Sequence, residues 1–219
     1  MSNNKINTTS KIPNDFIILN HELPEITYRI DYATKENFTG DIVPGYHAKL
    51  AYFSSPATNA LNNARNNFLK DNFEIIIFDT YRPMQAVKYF YQDWINTPIN
   101  TELQNIYFPN LTKNDLFEIG YLSKKSTHCR GSTIDMGLIN KKTKELIDFG
   151  TIFDFFGELS HTENSNITKE QKEMRTYLTK VMSEAGFKNY SMEWWHFTLE
   201  NEPYPDTYFD FEIKDKNHE

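Results

Sequence analysis

The sequence predicts a single domain of mixed α and β structure. The chain has 219 residues, which is within the range of one domain. Helix-like and strand-like patterns are interleaved along it, with no repeat and no internal low-complexity linker. Hydrophobic residues make up 39% of the chain and aromatic residues 15%, which is enough for a substantial core and excludes a disordered protein.

The two ends of the chain differ in composition from the rest. Residues 1–14 are rich in Asn, Thr, Ser and Lys, and the chain ends in the charged run KDKNHE. Such segments bury too little apolar surface to offset the entropy of ordering. We therefore expect a disordered N-terminal extension at 1–14, a folded domain over 15–213 and a frayed C-terminal tail at 214–219.

The first predicted elements are a helix and the strand that follows it. The helix has Ser55 as its expected N-cap residue and Pro56 at its first helical position. Its apolar face is formed by Ala60, Leu61, Ala64 and Phe68. The segment FEIIIFD at Phe73–Asp79 is a short apolar run with β-branched residues, which predicts a buried strand.

Two more helices are predicted from apolar periodicity. One begins at Pro83, with an inner face formed by Val87, Phe90, Tyr91 and Trp94. The clearest covers KEQKEMRTYLTKVMSEAG at residues 169–186, where apolar residues recur at helical spacing: Met174, Tyr177, Leu178, Val181, Met182 and Ala185. Gly186 is expected to end this helix, because glycine readily adopts the left-handed conformation that follows a helix.

A predicted strand that begins at Thr133 carries an aspartate on its polar face. Its residues alternate, with Ile134, Met136 and Leu138 on one face and Thr133, Asp135 and Gly137 on the other. His128 would lie on the opposite face from Asp135 if the strand were unbroken. Gly131 permits a turn or bulge between them, which would direct both side chains to one place.

The segment EWWHFTL predicts a second strand of this kind, with Trp194, His196 and Thr198 on one face and Trp195, Phe197 and Leu199 on the other. If the two strands are neighbours, His196 and Asp135 share a surface. Two histidines and one carboxylate form the three-ligand set of catalytic zinc sites, which leave the fourth position to water. Glu193 is then available as a base, and Arg82, at the end of a strand, as a cation for charge on a carbonyl oxygen.

Spacing alone leaves structural alternatives open for each of these residues. A buried histidine bonded to a backbone carbonyl is more common than a metal ligand. An aspartate that follows a glycine turn is often a cap or turn former. Arg82 also fits a surface ion pair of little energetic value.

Charge and composition exclude several kinds of partner. The formal net charge of −7 is opposite to that of a protein that binds a nucleic-acid backbone. Cys129 is the only cysteine, so no intramolecular disulfide forms, and this fits a reducing compartment. No secretory signal and no run of about 20 apolar residues is present, so we expect a cytoplasmic protein without a membrane partner. A homo-oligomer is compatible with the sequence, which carries no signal for or against one.

An ordered set of motifs resembles a known enzyme family. The pattern SxHxxGxxxD at residues 126–135 is followed by ExxH at residues 193–196. Together they resemble the zinc D,D-peptidases, which include D-alanyl-D-alanine dipeptidases and D,D-carboxypeptidases and are related in fold to the hedgehog signalling domain. Four further segments are similar to the VanX-type dipeptidase branch, which is tied to vancomycin resistance: YATKENFTG at 32–40, DTYRP at 79–83, SMEWWHF at 191–197 and NEPYPDTYFDF at 201–211.

The resemblance implies an α+β fold, in which a central, mostly antiparallel β-sheet is flanked by helices. It also implies one zinc ion per chain, bound by His128, Asp135 and His196. In the implied mechanism Glu193 is the general base and Arg82 stabilises the tetrahedral intermediate.

The implied reaction is hydrolysis of a small molecule, the dipeptide D-alanyl-D-alanine, to two D-alanines. Residues that match Asp154 and Tyr32 hold the free ammonium of the substrate, and a residue that matches Ser126 lies beside the bound dipeptide. One alternative is a D,D-carboxypeptidase that acts on longer peptidoglycan stems. Another is a zinc-containing binding module without catalytic activity, although such a module would need no base.

Two positions depart from the pattern of these relatives. Cys129 stands where a small polar residue such as serine is expected, and LSHTEN has one histidine, His161, where relatives can have a pair. Cys129 is not expected to be the nucleophile of a cysteine hydrolase, because it is adjacent to His128 and neighbouring side chains on an extended chain point apart. No role is predicted for His161.

Overall fold

The structure is a computed structural model that describes residues 7–215. The strands are, in chain order, β1 Asn7–Thr9, β2 Phe16–Ile18, β3 Thr27–Tyr28, β4 Tyr52–Ser54, β5 Phe73–Asp79, β6 Thr133–Asn140, β7 Phe187–Asn189, β8 His196–Leu199 and β9 Thr207–Phe209. The α-helices are α1 Leu19–Glu22, α2 Ser55–Lys70, α3 Met84–Lys88, α4 Thr101–Tyr107, α5 Lys113–Ile119 and α6 Lys169–Glu184.

The central sheet has five strands in the order β3-β5-β6-β8-β7. β3 is parallel to β5, and the remaining pairs are antiparallel. Its two long strands follow from the sequence, since β5 is the predicted apolar run and β6 the predicted alternating segment. The register between β5 and β6 shifts between Ile77 and Asp79, which is where β5 leaves the sheet. The α+β fold with a mostly antiparallel sheet is confirmed.

Two long helices cover this sheet. α2 contacts β5, α6 contacts β7, and the two helices also contact each other. The apolar faces predicted from helical spacing are the ones that pack: Leu61, Ala64, Phe68, Leu178 and Met182 are completely buried. α6 begins with a capping box between Thr168 and Gln171, and Gly186, with a φ of 93°, follows its end as predicted.

Two predicted helix starts need correction. Ser55 is the first residue of α2 and not its N-cap; its hydroxyl donates a hydrogen bond to the Asp15 carbonyl at 2.8 Å, which attaches the helix to the preceding chain. The helix after Pro83 forms, but only Met84–Lys88 is α-helical. It continues as a π turn at Tyr89–Asp93 and a 3-10 turn at Trp94–Asn96, while Val87, Phe90 and Trp94 remain buried as predicted.

Within the segment expected to be a disordered extension, Asn7–Thr9 form strand β1, and the domain boundaries at 15 and 213 stay a prediction. β1 pairs in parallel with β9, and the following strand β2 pairs with β4. Phe16 in β2 packs edge-on against Phe209 and Phe211, so aromatic contacts attach this end of the chain to the C-terminal segment. The parts of the prediction that concern residues 1–6 and 216–219 lie outside the described residues. None of the helices in residues 7–215 has both the length and the apolar character needed to cross a membrane.

Candidate metal and catalytic site

Strand pairing brings the first two candidate ligands together. Asp135 in β6 and His196 in β8 are directly opposite partners in the antiparallel pair. Opposite residues of such a pair have their side chains on the same face of the sheet, about 5 Å apart at Cβ. The expectation that Asp135 and His196 share a surface is therefore confirmed.

A turn supplies the third candidate ligand. His128 lies in a 3-10 turn at Thr127–Arg130, which ends at Gly131 with a φ of 77°. Glycine is required here, because a Cβ atom at Gly131 would meet the ring of Phe16 at 2.0 Å. The predicted break at Gly131 is thus a turn, and it directs His128 toward Asp135.

The three side chains form one compact cluster. Nε2 of His128 lies 3.1 Å from Oδ2 of Asp135, and Nδ1 of His196 lies 3.1 Å from Oδ1 of Asp135. The two histidine nitrogens are 3.3 Å apart. Burial raises the pKa of Asp135, but the charges and hydrogen bonds of His128 and His196 outweigh it and hold that pKa well below its usual range.

The donor set of this cluster fits a metal ion. One ligand atom from each residue lies within 4.8 Å of the others. Oδ1 of Asp135 is buried and, although Nδ1 of His196 lies 3.1 Å away, it has no partner in hydrogen-bond geometry among the described residues; a bound cation would satisfy this oxygen. The other ring nitrogen of His128 donates to the Thr80 carbonyl at 2.6 Å, which leaves Nε2 unprotonated for a metal. Nε2 of His196 lies 3.3 Å from the Thr127 hydroxyl, which leaves its Nδ1 for the same role.

Glu193 lies beside the cluster, in the turn that leads into β8. Its Oε2 is 3.5 Å from Nδ1 of His196, and the side chain is almost completely buried. The amide of Asn189 donates to the carbonyls of Glu193 and His196, both at 3.0 Å, and so fixes the two ends of this turn. Burial, followed by the charges of Asp135 and Asp154, raises the pKa of Glu193 well above its usual value.

Arg82 lies on the other side of the cluster and is held by carboxylates. Its Nε donates to Oδ2 of Asp79 at 2.9 Å, and its Nη2 contacts Oδ2 of Asp135 at 3.4 Å. The Tyr46 hydroxyl donates to the second oxygen of Asp79 at 2.8 Å. Arg82 is buried, so the alternative of a surface ion pair is wrong. A buried guanidinium held on one side presents a fixed positive charge beside the cluster.

Asp154 and Tyr32 form a second polar pair in the same cavity. The Tyr32 hydroxyl donates to Oδ2 of Asp154 at 2.7 Å, and both residues are buried. Asp154 adopts a φ of 60°, which is uncommon for a residue other than glycine. Burial, followed by the charge of Asp135, raises the pKa of Asp154 well above its usual value. A cation placed beside this carboxyl would restore its charged form.

One cavity of about 510 Å³ joins these groups, lined by the three cluster residues and by Arg82, Glu193, Asp154, Tyr32 and Ser126.

Cys129 and His161, the two positions that depart from the pattern of the relatives, do not line this cavity. Cys129 is buried against Met84 and Val87, and burial raises the pKa of its thiol, so it has none of the features of an activated nucleophile. His161 lies outside this cavity and contacts the Tyr121 hydroxyl at 2.9 Å.

Comparison with known proteins identifies the family. The family model described as "D-ala-D-ala dipeptidase" matches residues 13–214. A D-alanyl-D-alanine dipeptidase of Enterococcus faecium is 36% identical over 199 residues, covering 91% of this chain and 98% of the relative. One from Streptomyces coelicolor is 34% identical with the same coverage, and one from Escherichia coli is 27% identical over 80% of each chain. The chain belongs to the D-alanyl-D-alanine dipeptidase family.

Members of this family are peptidases, so the chain is an enzyme, and the family is one of metallopeptidases.

Sequence reasoning missed two of the groups around the candidate site. Asp79 had a usable signal, since it is a carboxylate at the end of a buried strand, three residues before Arg82. The Thr80 carbonyl that orients His128 had none, because every residue carries a backbone carbonyl.

Proposed function

We propose that this chain is a zinc-dependent dipeptidase that hydrolyses D-alanyl-D-alanine to two D-alanines. One observation supports this most directly: the His128, Asp135 and His196 cluster, the Glu193 carboxyl and the Arg82 guanidinium line one cavity that also contains a buried carboxyl at Asp154. A cavity that presents a base, a fixed cation and a separate anionic contact suits a small zwitterionic peptide.

The proposed reaction uses the side chains in separate roles. Zinc bound by His128, Asp135 and His196 would supply a Lewis acid that polarises the scissile carbonyl and lowers the pKa of water to about 7. Glu193 takes a proton from the attacking water and returns it to the leaving amine. Arg82 stabilises the negative charge that develops on the carbonyl oxygen.

The Asp154 carboxyl provides the proposed specificity for a dipeptide. With the Tyr32 hydroxyl it binds the free ammonium of the substrate, and Ser126 lines the cavity beside His128. An ammonium and a carboxylate attract each other strongly where water is excluded. A chain that continues beyond this amine would leave the buried carboxylate without its partner.

The proposed setting is the cytoplasm and the metabolism of peptidoglycan precursors, including a link to vancomycin resistance. Support comes from the lone cysteine, which fits a reducing compartment, and from the relatives named as D-alanyl-D-alanine dipeptidases. The proposed catalytic domain, residues 15–213, agrees closely with the range of the family match.

The central test is the Glu193→Gln variant, assayed for D-alanine release and for bound zinc. We expect about one zinc per chain to remain, because Glu193 is not a ligand, while kcat falls on the order of 10²-fold or more because the base acts in the transition state. Glu200→Gln is the control and should match wild type, because Glu200 is exposed and lies directly after β8. Turnover of Glu193→Gln within a few-fold of wild type would refute the assignment of the base.

Substrate length separates the dipeptidase from the carboxypeptidase. We expect kcat/KM for D-alanyl-D-alanine to exceed that for N-acetyl-D-alanyl-D-alanine and for a pentapeptide stem by more than about 10²-fold, because blocking the amine leaves the buried Asp154 carboxylate without a cationic partner. The L,L dipeptide should also be a poor substrate. Asp154→Ala should lower the preference for a free amine. Similar kcat/KM values for the free dipeptide and the pentapeptide stem would favour the carboxypeptidase.

A further inference from the structure

Arg175 is a buried cation outside the cavity that carries the proposed chemistry. It lies in α6 and is 1% exposed, and among residues 7–215 it makes no ion pair with a carboxylate. Its guanidinium donates instead to backbone carbonyls, at 2.7 Å from Nε to Phe149, 2.6 Å from Nη1 to His161 and 2.8 Å from Nη2 to Leu159. Burial lowers the pKa of Arg175 to about 10, so the group stays charged at neutral pH.

These carbonyls lie at the two ends of one segment, residues 149–161, with Asp154 between them. The segment has little regular structure, apart from a 3-10 turn at Glu158–Ser160. The left-handed backbone of Asp154 is unfavourable for a residue with a Cβ atom and persists only where the surroundings fix it. Arg175 connects the two ends and thereby restricts the conformations open to the segment.

The same segment also contacts the turn that precedes β8. The Phe149 ring stacks on Trp194 with ring centroids 4.3 Å apart. The indole of Trp194 donates to the Thr151 hydroxyl at 2.8 Å, and its backbone amide donates to the Ser160 carbonyl at 3.1 Å. The segment is therefore fixed on one side by α6 and on the other by the residue that follows Glu193.

We propose that Arg175 is a positioning residue that holds segment 149–161 so that the Asp154 carboxyl meets the ammonium of the substrate. This inference rests on the proposed function. Arginine suits the role because its planar fork reaches several carbonyls at once with charge-assisted hydrogen bonds, whereas the point charge of lysine cannot reproduce that geometry. The three candidate metal ligands lie outside this segment, so metal binding should not depend on it.

The test compares Arg175→Lys and Arg175→Met with Leu178→Ala, a control that removes a completely buried side chain of the same helix. Zinc content and Tm are measured for each variant. At a temperature well below each Tm, kcat and KM are then measured for D-alanyl-D-alanine, and kcat/KM for the N-acetyl dipeptide. For both Arg175 variants we expect unchanged zinc, a KM raised about tenfold, kcat within about threefold, and a preference for the free dipeptide lowered at least tenfold. Leu178→Ala should lower Tm while it keeps the wild-type KM and preference.

A wild-type KM and preference in folded Arg175 variants would overturn the proposal. If neither variant folds, Thr151→Val tests whether the held segment positions Asp154, because it removes the Trp194 and Ser160 contacts of the Thr151 hydroxyl without altering α6. It should lower the preference for the free dipeptide, and an unchanged preference would overturn the proposal. A wild-type enzyme that fails to cleave D-alanyl-D-alanine refutes the proposed function instead. Hydrogen exchange in segment 149–161 then tests Arg175 separately, with at least tenfold faster exchange expected in Arg175→Lys than in Leu178→Ala. Equal exchange would overturn the positioning role.

Discussion

At the scale of single residues, the contacts of the Asp79 carboxylate explain how the Arg82 guanidinium is held. Asp79 accepts hydrogen bonds from both Arg82 and Tyr46, so the two oxygens of its carboxylate have separate partners. It also lies 3.7 Å from Nδ1 of His128. Burial raises the pKa of Asp79, and the charges of Arg82 and His128 oppose that rise. Asp79 therefore sets the direction in which the guanidinium points.

Asp79→Asn should reduce turnover without loss of the metal. The variant keeps the shape of the side chain but weakens the charge-assisted bond to Nε of Arg82, so the guanidinium no longer has one fixed direction. We expect kcat to fall at least about tenfold, with KM within about threefold and zinc unchanged. Tyr46→Phe, which removes only the second partner of Asp79, should have a smaller effect. A kcat for Asp79→Asn equal to that of wild type would show that Arg82 keeps its position without this carboxylate.

At the scale of secondary structure elements, the turn at Thr127–Arg130 determines where His128 lies. The turn ends at Gly131, whose amide donates to the His128 carbonyl at 3.1 Å and whose carbonyl accepts from Ser54 at 2.8 Å. Gly131 thus needs both a left-handed backbone and close packing against Phe16. A change at this residue should act on stability and on metal binding together.

Gly131→Ala should be more destabilising than Gly186→Ala, which serves as its matched control. Both glycines have a positive φ, but a Cβ at Gly186 has its nearest neighbour at 3.8 Å, so that variant carries only the backbone strain of roughly 1–2 kcal/mol. Gly131→Ala adds the overlap with Phe16, about 1–3 kcal/mol more. We also expect its zinc affinity to fall at least tenfold. Urea unfolding and competition with a chromophoric chelator measure the two effects; equal losses of stability with unchanged affinity would contradict this account of the turn.

At the scale of the whole molecule, the candidate ligands are brought together only by folding. His128, Asp135 and His196 come from a turn and two strands of the central sheet. An unfolded chain does not hold them in one place, so a metal that binds them stabilises the folded state by mass action. The stability of the domain should therefore depend on metal.

Removal of metal with a chelator should lower the Tm of the wild-type protein. At a free zinc concentration of about 100 times Kd the stabilisation is about 2.7 kcal/mol, which corresponds to a shift of roughly 5–10 °C for a domain of this size. His128→Ala, which removes one ligand of three, should lose the zinc and show no such shift. Differential scanning calorimetry with and without chelator measures both. An equal Tm shift in wild type and His128→Ala would indicate that the metal acts at another place.

Local sequence patterns were enough to predict the elements that depend on periodicity and on neighbouring residues. The apolar faces of α2 and α6, the buried strand β5 and the alternation in β6 all result from local patterns, because helices and strands repeat at fixed intervals. The motifs at 126–135 and 193–196 also indicated the candidate ligands His128, Asp135 and His196, which the structure brings together. The start of α2 lies one residue earlier than predicted: Ser54 takes the N-cap position without a side-chain capping bond, and the hydroxyl of Ser55 donates to the Asp15 carbonyl.

The contacts that hold these groups in place could not be predicted from local patterns. The Thr80 carbonyl at His128 and the Phe149 carbonyl at Arg175 connect residues far apart in the chain, and both acceptors are backbone atoms. The pairing of β1 with β9 likewise joins Asn7–Thr9 to Thr207–Phe209, a contact that the composition of this polar segment does not indicate. Backbone groups are the same in every residue, so which of them meet depends on the path of the folded chain and not on the identity of the side chains.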